Sequence, residues 1–179
     1  MLSKYKTNVF SDDMFLKIKN FHSESLKKTN NAKYYNEVGR YYSVTSFPED
    51  IAKSVIGKAE EETGLKDLEI IYVQAVRYQI KDGEVPSLNK HLDEVYYTYI
   101  LDIAVGGTVE WPLIVEGEEF PSIPNSVVFL KGDSDEHFRP EYPSKSKEDY
   151  LDLVFVYLGH KGDKHVVAGR EYLKYMIGN

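Results

Sequence analysis

The residues of this chain whose types and spacing could do chemistry are His91, Asp93 and His137. Two imidazoles and one carboxylate form the donor set that holds non-haem iron(II) on one face and leaves positions open for a bidentate co-reactant and dioxygen. The sequence contains no cysteine, so thiolate sites and disulfides are excluded, and a metal has to be held by His, Asp or Glu. A strand turns residues i and i+2 to the same side, which lets His91 and Asp93 address one ion from a strand end or the turn after it. His137 follows Asp93 by 44 residues, enough chain to cross a sandwich and return opposite the first pair. Taken alone, His-x-Asp reads equally well as a surface turn, and His137 as a solvated histidine beside Asp133, Asp135 and Glu136. The surrounding elements have to decide.

Those elements begin with helices. Met14, Phe15, Ile18 and Phe21 recur at helical spacing after Ser11 and two aspartates, which predicts a helix from Ser11 to near Lys27. Residues 28–33 read as a loop and 41–45 as a short strand. Ser46 and Glu49 are spaced as a capping box with Pro48 in the first turn, opening a second helix that runs to about Gly64. Beyond it β-branched and aromatic residues dominate. Strands are expected at 69–80, 95–105, 108–115, 126–130 and 150–158, and Pro112 inside the third argues for an edge or a broken strand. A last helical segment is expected over 169–176. Two helices followed by antiparallel strands is the order of a single α+β domain over 1–179, with helices bracing one face of a β-sandwich or jelly roll.

Composition narrows the partners. With 22 basic against 29 acidic side chains and a formal charge of -7, the chain is repelled by phosphate backbones, so nucleic acid is not an expected partner. No apolar run is long enough for a signal peptide or membrane span, so the expectation is a cytoplasmic protein without a membrane partner. The 15 tyrosines read first as half-buried sheet faces and second as an aromatic substrate groove.

Gln74-Ala75-Val76-Arg77-Tyr78 is followed by a glycine-containing loop, His91-x-Asp93, an aromatic strand, Gly106-Gly107, the apolar strand Val127-Val128-Phe129-Leu130 and then His137. In this order residues 68–159 resemble the 2-oxoglutarate and iron(II)-dependent dioxygenases, in particular their prolyl-hydroxylase-like branch. The resemblance implies a double-stranded β-helix core braced by N-terminal helices. It also implies Fe(II) held by His91, Asp93 and His137 as the catalytic centre, with 2-oxoglutarate as cosubstrate. The implied reaction decarboxylates 2-oxoglutarate to succinate and uses dioxygen to hydroxylate a peptidyl residue such as proline, a free amino acid or another small molecule. In that family a basic residue about ten positions after the second histidine binds the far carboxylate of 2-oxoglutarate. Lys147 stands there, with Lys145 and Arg139 as rivals, and a solvated lysine in the charged run 145–149 is the plain alternative. A core phenol often assists, and the candidates are Tyr99, Tyr97 and Tyr78, with Tyr99 preferred. Departures are the short stretch between Asp93 and Gly106, lysine for the superfamily's commoner arginine, and Asp102 and Asp152 inside expected core strands. One or both of these acids must face solvent or a polar site. Asp93 fills the position that halide takes in related halogenases, which favours hydroxylation.

The competing reading is a non-catalytic, cupin-like jelly roll that binds a metal, 2-oxoglutarate or a partner. Cupin sites usually gather more histidines, and here only His22, His160 and His165 remain. A nucleic-acid demethylase is disfavoured by the charge and by the absence of arginine from 150–157. The sequence leaves the oligomeric state open.

Overall fold

The structure is a computed structural model that describes residues 4–27, 33–94 and 98–177. Strand β1 (Lys4–Thr7) precedes helix α1 (Asp12–Lys27), strand β2 (Lys33–Tyr35), a 3-10 turn (Asn36–Val38), strand β3 (Arg40–Thr45) and helix α2 (Glu49–Thr63). The core strands follow as β4 (Leu68–Gln79), β5 (Leu88–His91), β6 (Tyr99–Gly107), β7 (Leu113–Val115), β8 (Glu118–Phe120), β9 (Ser126–Leu130), β10 (His137–Arg139) and β11 (Tyr150–His160). Helix α3 (Lys164–Ile177) closes the described chain. All pairings are antiparallel, in a seven-stranded sheet ordered β1-β9-β6-β11-β4-β3-β2 and a four-stranded sheet ordered β5-β10-β7-β8. Strands β4 to β11 alternate between the sheets except at the β7–β8 hairpin, which stays within the four-stranded sheet, so the expected α+β, double-stranded β-helix architecture is the one found.

Alternation along the long strands splits the core in two. Val76 and Tyr78 of β4, Ile100 and Ala104 of β6, and Leu151, Leu153 and Phe155 of β11 face the space between the sheets. Their neighbours Val73, Leu101, Ile103, Val154 and Val156 face the other way, onto Ile18 of α1 and Ile51, Val55 and Ala59 of α2. This period of two is what a sheet covered on both faces requires.

Helix ends follow local chemistry. The Ser11 hydroxyl accepts the Met14 N–H at 3.4 Å, and Asp12 and Asp13 complement the positive end of α1. The expected Ser46–Glu49 capping box does not form. Pro48 takes the N-cap position itself, without a side-chain bond, and its carbonyl accepts the Ala52 N–H at 2.9 Å. Helix α2 ends at Gly64, whose φ of 76° is open to glycine without strain. The strand expected over 108–115 shrinks to β7, which starts immediately after Pro112, and the strand expected from residue 95 begins at Tyr99 among the described residues.

Neither acid in the core strands faces solvent. Asp152, opposite Arg77 across the β4–β11 ladder, accepts both Arg77 Nε and Nη2 at 2.7 Å on the helix-covered face. Asp102 accepts Arg139 Nη2 at 2.6 Å on the inner face. Among the described residues no helix is long and apolar enough to cross a membrane.

Candidate metal centre

Strands β5 and β10 pair with His91 directly opposite His137, which brings the two imidazoles to 4.3 Å between ring centroids. Asp93 lies two residues beyond β5, where its N–H donates to the Gly132 carbonyl at 2.8 Å and ties its turn to the loop before β10. Its carboxylate then sits 3.8 Å from His91 Nε2 through Oδ1 and 3.3 Å from His137 Nε2 through Oδ2. One ligand atom from each of the three residues lies within 4.8 Å of the other two. His91 Nδ1 is 2.7 Å from the Asn89 carbonyl and His137 Nδ1 is 2.9 Å from the Asp135 carbonyl. A carbonyl only accepts, so in the neutral ring the proton sits on Nδ1 and Nε2, which faces the Asp93 carboxylate, is the atom left to bind a metal. Burial would lower the pKa of His137, but the Asp93 hydrogen bond and charge and the Asp135 carbonyl outweigh it and leave the group raised. The cluster therefore draws positive charge, and its donor set fits iron(II).

The three side chains open onto a cavity of about 350 Å³ between the sheets. Ile100, Leu113, Leu130 and Phe155 make it apolar, while Tyr78, Tyr157, Asp102 and Arg40 add polar groups. Tyr35, Glu37 and Asn89 line it as well.

No protein-family model matches the sequence, and no curated protein matches it. Solved structures do match the fold. A prolyl-4-hydroxylase of Pseudomonas putida superposes with a TM-score of 0.66 at 8% identity, over 89% of this chain and 92% of that one. The non-heme alpha-ketoglutarate-dependent epimerase of nogalamycin biosynthesis gives 0.67 at 9% identity, over 89% and 78%. A prolyl hydroxylase from Trichoplax adhaerens, in complex with a hypoxia inducible factor oxygen degradation domain peptide fragment, gives 0.62 at 8% identity, over 96% and 86%. The chain has the fold of the 2-oxoglutarate and iron(II)-dependent oxygenases, in its prolyl-hydroxylase-like form. At such identities the likeness is one of fold, and the site rests on its own geometry.

Within this oxygenase fold, the other residues singled out in the sequence separate. Tyr78 lines the cavity. Tyr99 does not: it packs with the helix-side core, and its hydroxyl is 3.3 Å from His160 Nε2. Strand parity does not carry from Asp93 to Tyr99 because β6 begins only at Tyr99. Tyr97 lies outside the described residues. Lys147 and Lys145 are exposed in the loop before β11 and do not line the cavity, so the cation expected there is not delivered. The Lys147 carbonyl accepts Gln79 Nε2 at 2.7 Å instead. Residues 140–149 belong to neither sheet, and although Tyr142 packs inward on Trp111, the chain ten positions after His137 is at the surface. Arg139 is buried but committed to Asp102, the Trp111 carbonyl and the Ser122 hydroxyl. The basic residue that does line the cavity is Arg40, at the start of β3. No motif in the sequence marks it, because its place depends on β3 joining the sheet beside β4.

Proposed function

We propose that this chain is a non-haem iron(II) dioxygenase that couples decarboxylation of 2-oxoglutarate to succinate with hydroxylation of a peptidyl residue, a free amino acid or another small molecule. The observation that carries the reading is the convergence of His91, Asp93 and His137, with both Nε2 atoms turned to the Asp93 carboxylate, at the wall of an apolar cavity of about 350 Å³. That volume is of the size small-molecule sites use. Iron(II), when bound, supplies the redox chemistry that activates dioxygen. The chain's own residues place and shelter it. Asn89 and Asp135 carbonyls fix the two imidazoles, Asp93 supplies the anionic ligand, and Ile100, Leu113, Leu130 and Phe155 keep water away from the reacting atoms. No side chain has to act as an acid or base.

The neighbouring folds support the substrate class without fixing it. One was solved with a bound peptide and one is an epimerase, so the same core serves more than one outcome. Exposed Tyr35 and Glu37 at the cavity leave an approach for an extended peptide or an amino acid side chain. The test is anaerobic addition of iron(II) and 2-oxoglutarate to the purified protein, followed in the visible range for the chelate's charge-transfer band. A saturable band that disappears in His91→Ala, with iron- and 2-oxoglutarate-dependent succinate release in air, is the expected result. No band and no retained iron in folded protein would end the reading.

A further inference from the structure

We propose that Arg40, which lies on a strand outside the β-helix proper, binds the distal carboxylate of the cosubstrate, with Tyr78 holding its guanidinium in place. This rests on the dioxygenase reading and names the residue that would recognise its second anionic ligand.

The placement comes first. Arg40 stands opposite Tyr78 in the β3–β4 ladder, and Tyr78 stands opposite Leu151 of β11. Its side chain enters the cavity from the seven-stranded sheet, across from the strand pair that carries the two histidines. Arg40 Nη1 donates to the Tyr78 hydroxyl at 3.1 Å, and the guanidinium carbon lies 5.9 Å and 5.6 Å from the centroids of the Tyr78 and Phe155 rings. Tyr78 is fully buried, wedged edge-on against Trp111, so this support is rigid.

The second observation is a charge without a counter-charge. Among the described residues Arg40 makes no ion pair, and its buried Nε has no hydrogen-bond acceptor. The carboxylates that line the cavity with it are Glu37, Asp93 and Asp102. Glu37 accepts the Tyr35 hydroxyl at 2.6 Å, Asp93 faces the two histidines, and Asp102 is held by Arg139 at 2.6 Å. Arg139 also has an Nε without an acceptor, but its charge is matched by Asp102. The orphaned N–H alone is therefore not the signal. The signal is a guanidinium in an apolar cavity whose best partner is a phenol, where planar, bidentate recognition of a carboxylate is what its fork of donors suits. Formal charge agrees. Apart from Glu37 at the solvent-exposed rim, iron(II) with Asp93 carries one net positive charge, Arg40 adds a second, the Asp102–Arg139 pair cancels, and 2-oxoglutarate brings two negative charges.

The third observation is mechanical. Gly39, with φ at +62°, lets β3 approach Pro86 so closely that an added Cβ would lie 2.6 Å from Pro86 Cα. The Val38 carbonyl accepts the Ser87 N–H at 3.2 Å. The start of β3 is thereby clipped to the segment that runs into β5 and His91, so Arg40 and the metal ligands share one frame.

The test titrates the full-length protein with iron(II) and either 2-oxoglutarate or 2-oxobutyrate, which keeps the keto acid end and lacks the distal carboxylate, and reads the charge-transfer band without oxygen. Arg40→Gln is expected to weaken 2-oxoglutarate about 30-fold or more, the scale of lost charge-assisted hydrogen bonds, with 2-oxobutyrate unchanged within about twofold. Arg40→Lys should fall between. The 2-oxobutyrate arm shows that the variant's metal site and cavity are intact. Equal binding of 2-oxoglutarate by Arg40→Gln and the unaltered protein overturns the assignment and leaves a substrate carboxylate as the partner of Arg40. Equal loss of both acids overturns it in favour of a structural role. An unaltered protein that gives no band with either acid overturns the dioxygenase reading and this inference with it.

Discussion

On the helix-covered face of the seven-stranded sheet Arg77 gives two N–H groups to Asp152, whereas on the cavity face Arg40 gives one to a phenol and leaves another without an acceptor. The first arrangement is closed. Arg77 also lies over the Tyr150 ring at 4.2 Å, and His22, 3.8 Å from Asp152, spends its Nε2 proton on the Val76 carbonyl at 2.9 Å. A ligand there would have to break bonds already made. The second arrangement gains from an anion, because a desolvated cation without a partner is expensive and an incoming carboxylate offsets that cost. Both faces set an arginine against an aromatic ring, so residue type and ring stacking alone do not separate a structural network from a binding site. The separation lies in whether each charge already has its opposite.

The largest effects are expected at the proposed metal ligands of the cavity face. Asp93→Ala or His137→Ala should reduce iron(II) affinity by more than about 100-fold, beyond what loss of an outer hydrogen-bond partner costs, as read by metal retained after anaerobic desalting. Retention of iron by either variant would break the claim that this face is a site at all. Next is Arg139→Met, which leaves Asp102 fully buried without its counter-ion. Burial already pushes the Asp102 carboxyl up against the pull of Arg139. Breaking such a pair costs about 3–5 kcal/mol, measurable by urea unfolding, and adding Asp102→Asn should recover much of it. Arg77→Gln should cost less, about 1–3 kcal/mol, because the Arg77 side chain is 36% exposed and water can take its place. Its 2-oxoglutarate affinity should stay at the unaltered value. If Arg77→Gln weakened the cosubstrate as Arg40→Gln is expected to, the contrast between the faces would fail.

Much of the frame was legible in the sequence because long elements announce their period. The helix after Ser11 and the strands around 69–80, 126–130 and 150–158 lie close to α1, β4, β9 and β11. The convergence of His91, Asp93 and His137 was legible for a different reason, since His91 and His137 face each other across paired strands and Asp93 follows two residues beyond β5. What could not be read were β1, β2, β5, β8 and β10, each three or four residues long, too short to show an alternation. Counting along the chain points to Lys147 as the carboxylate anchor. Whether a cation reaches the cavity depends instead on where residues 140–149 leave the sheet and on β3 pairing with β4, and both are tertiary facts.

Two smaller perturbations sharpen the contrast further. Gly39→Ala puts a Cβ against Pro86 at a positive φ, which should cost about 1–2 kcal/mol and, by shifting the start of β3, weaken 2-oxoglutarate more than 2-oxobutyrate. A pure stability loss with both affinities intact would show that Arg40 does not depend on the clip to the loop before β5.

The helix-covered face has its own sensitive member in His22. Burial lowers the pKa of His22 below 6.5, against the opposing pull of Asp152. A base whose folded pKa is depressed favours folding while it stays neutral. As pH falls below 6.5 the unfolded chain takes up a proton that the folded chain refuses, and stability drops until the folded pKa is passed. One such group gives a slope of at most about 1.4 kcal/mol per pH unit. His22→Gln can still donate to the Val76 carbonyl but cannot titrate. The stability difference between the unaltered protein and this variant, from urea unfolding at a series of pH values, should be constant above about pH 7.5 and move in the variant's favour toward pH 5. Parallel curves would mean that Asp152 has room for a second cation beside Arg77, and the helix-covered network would then not be closed.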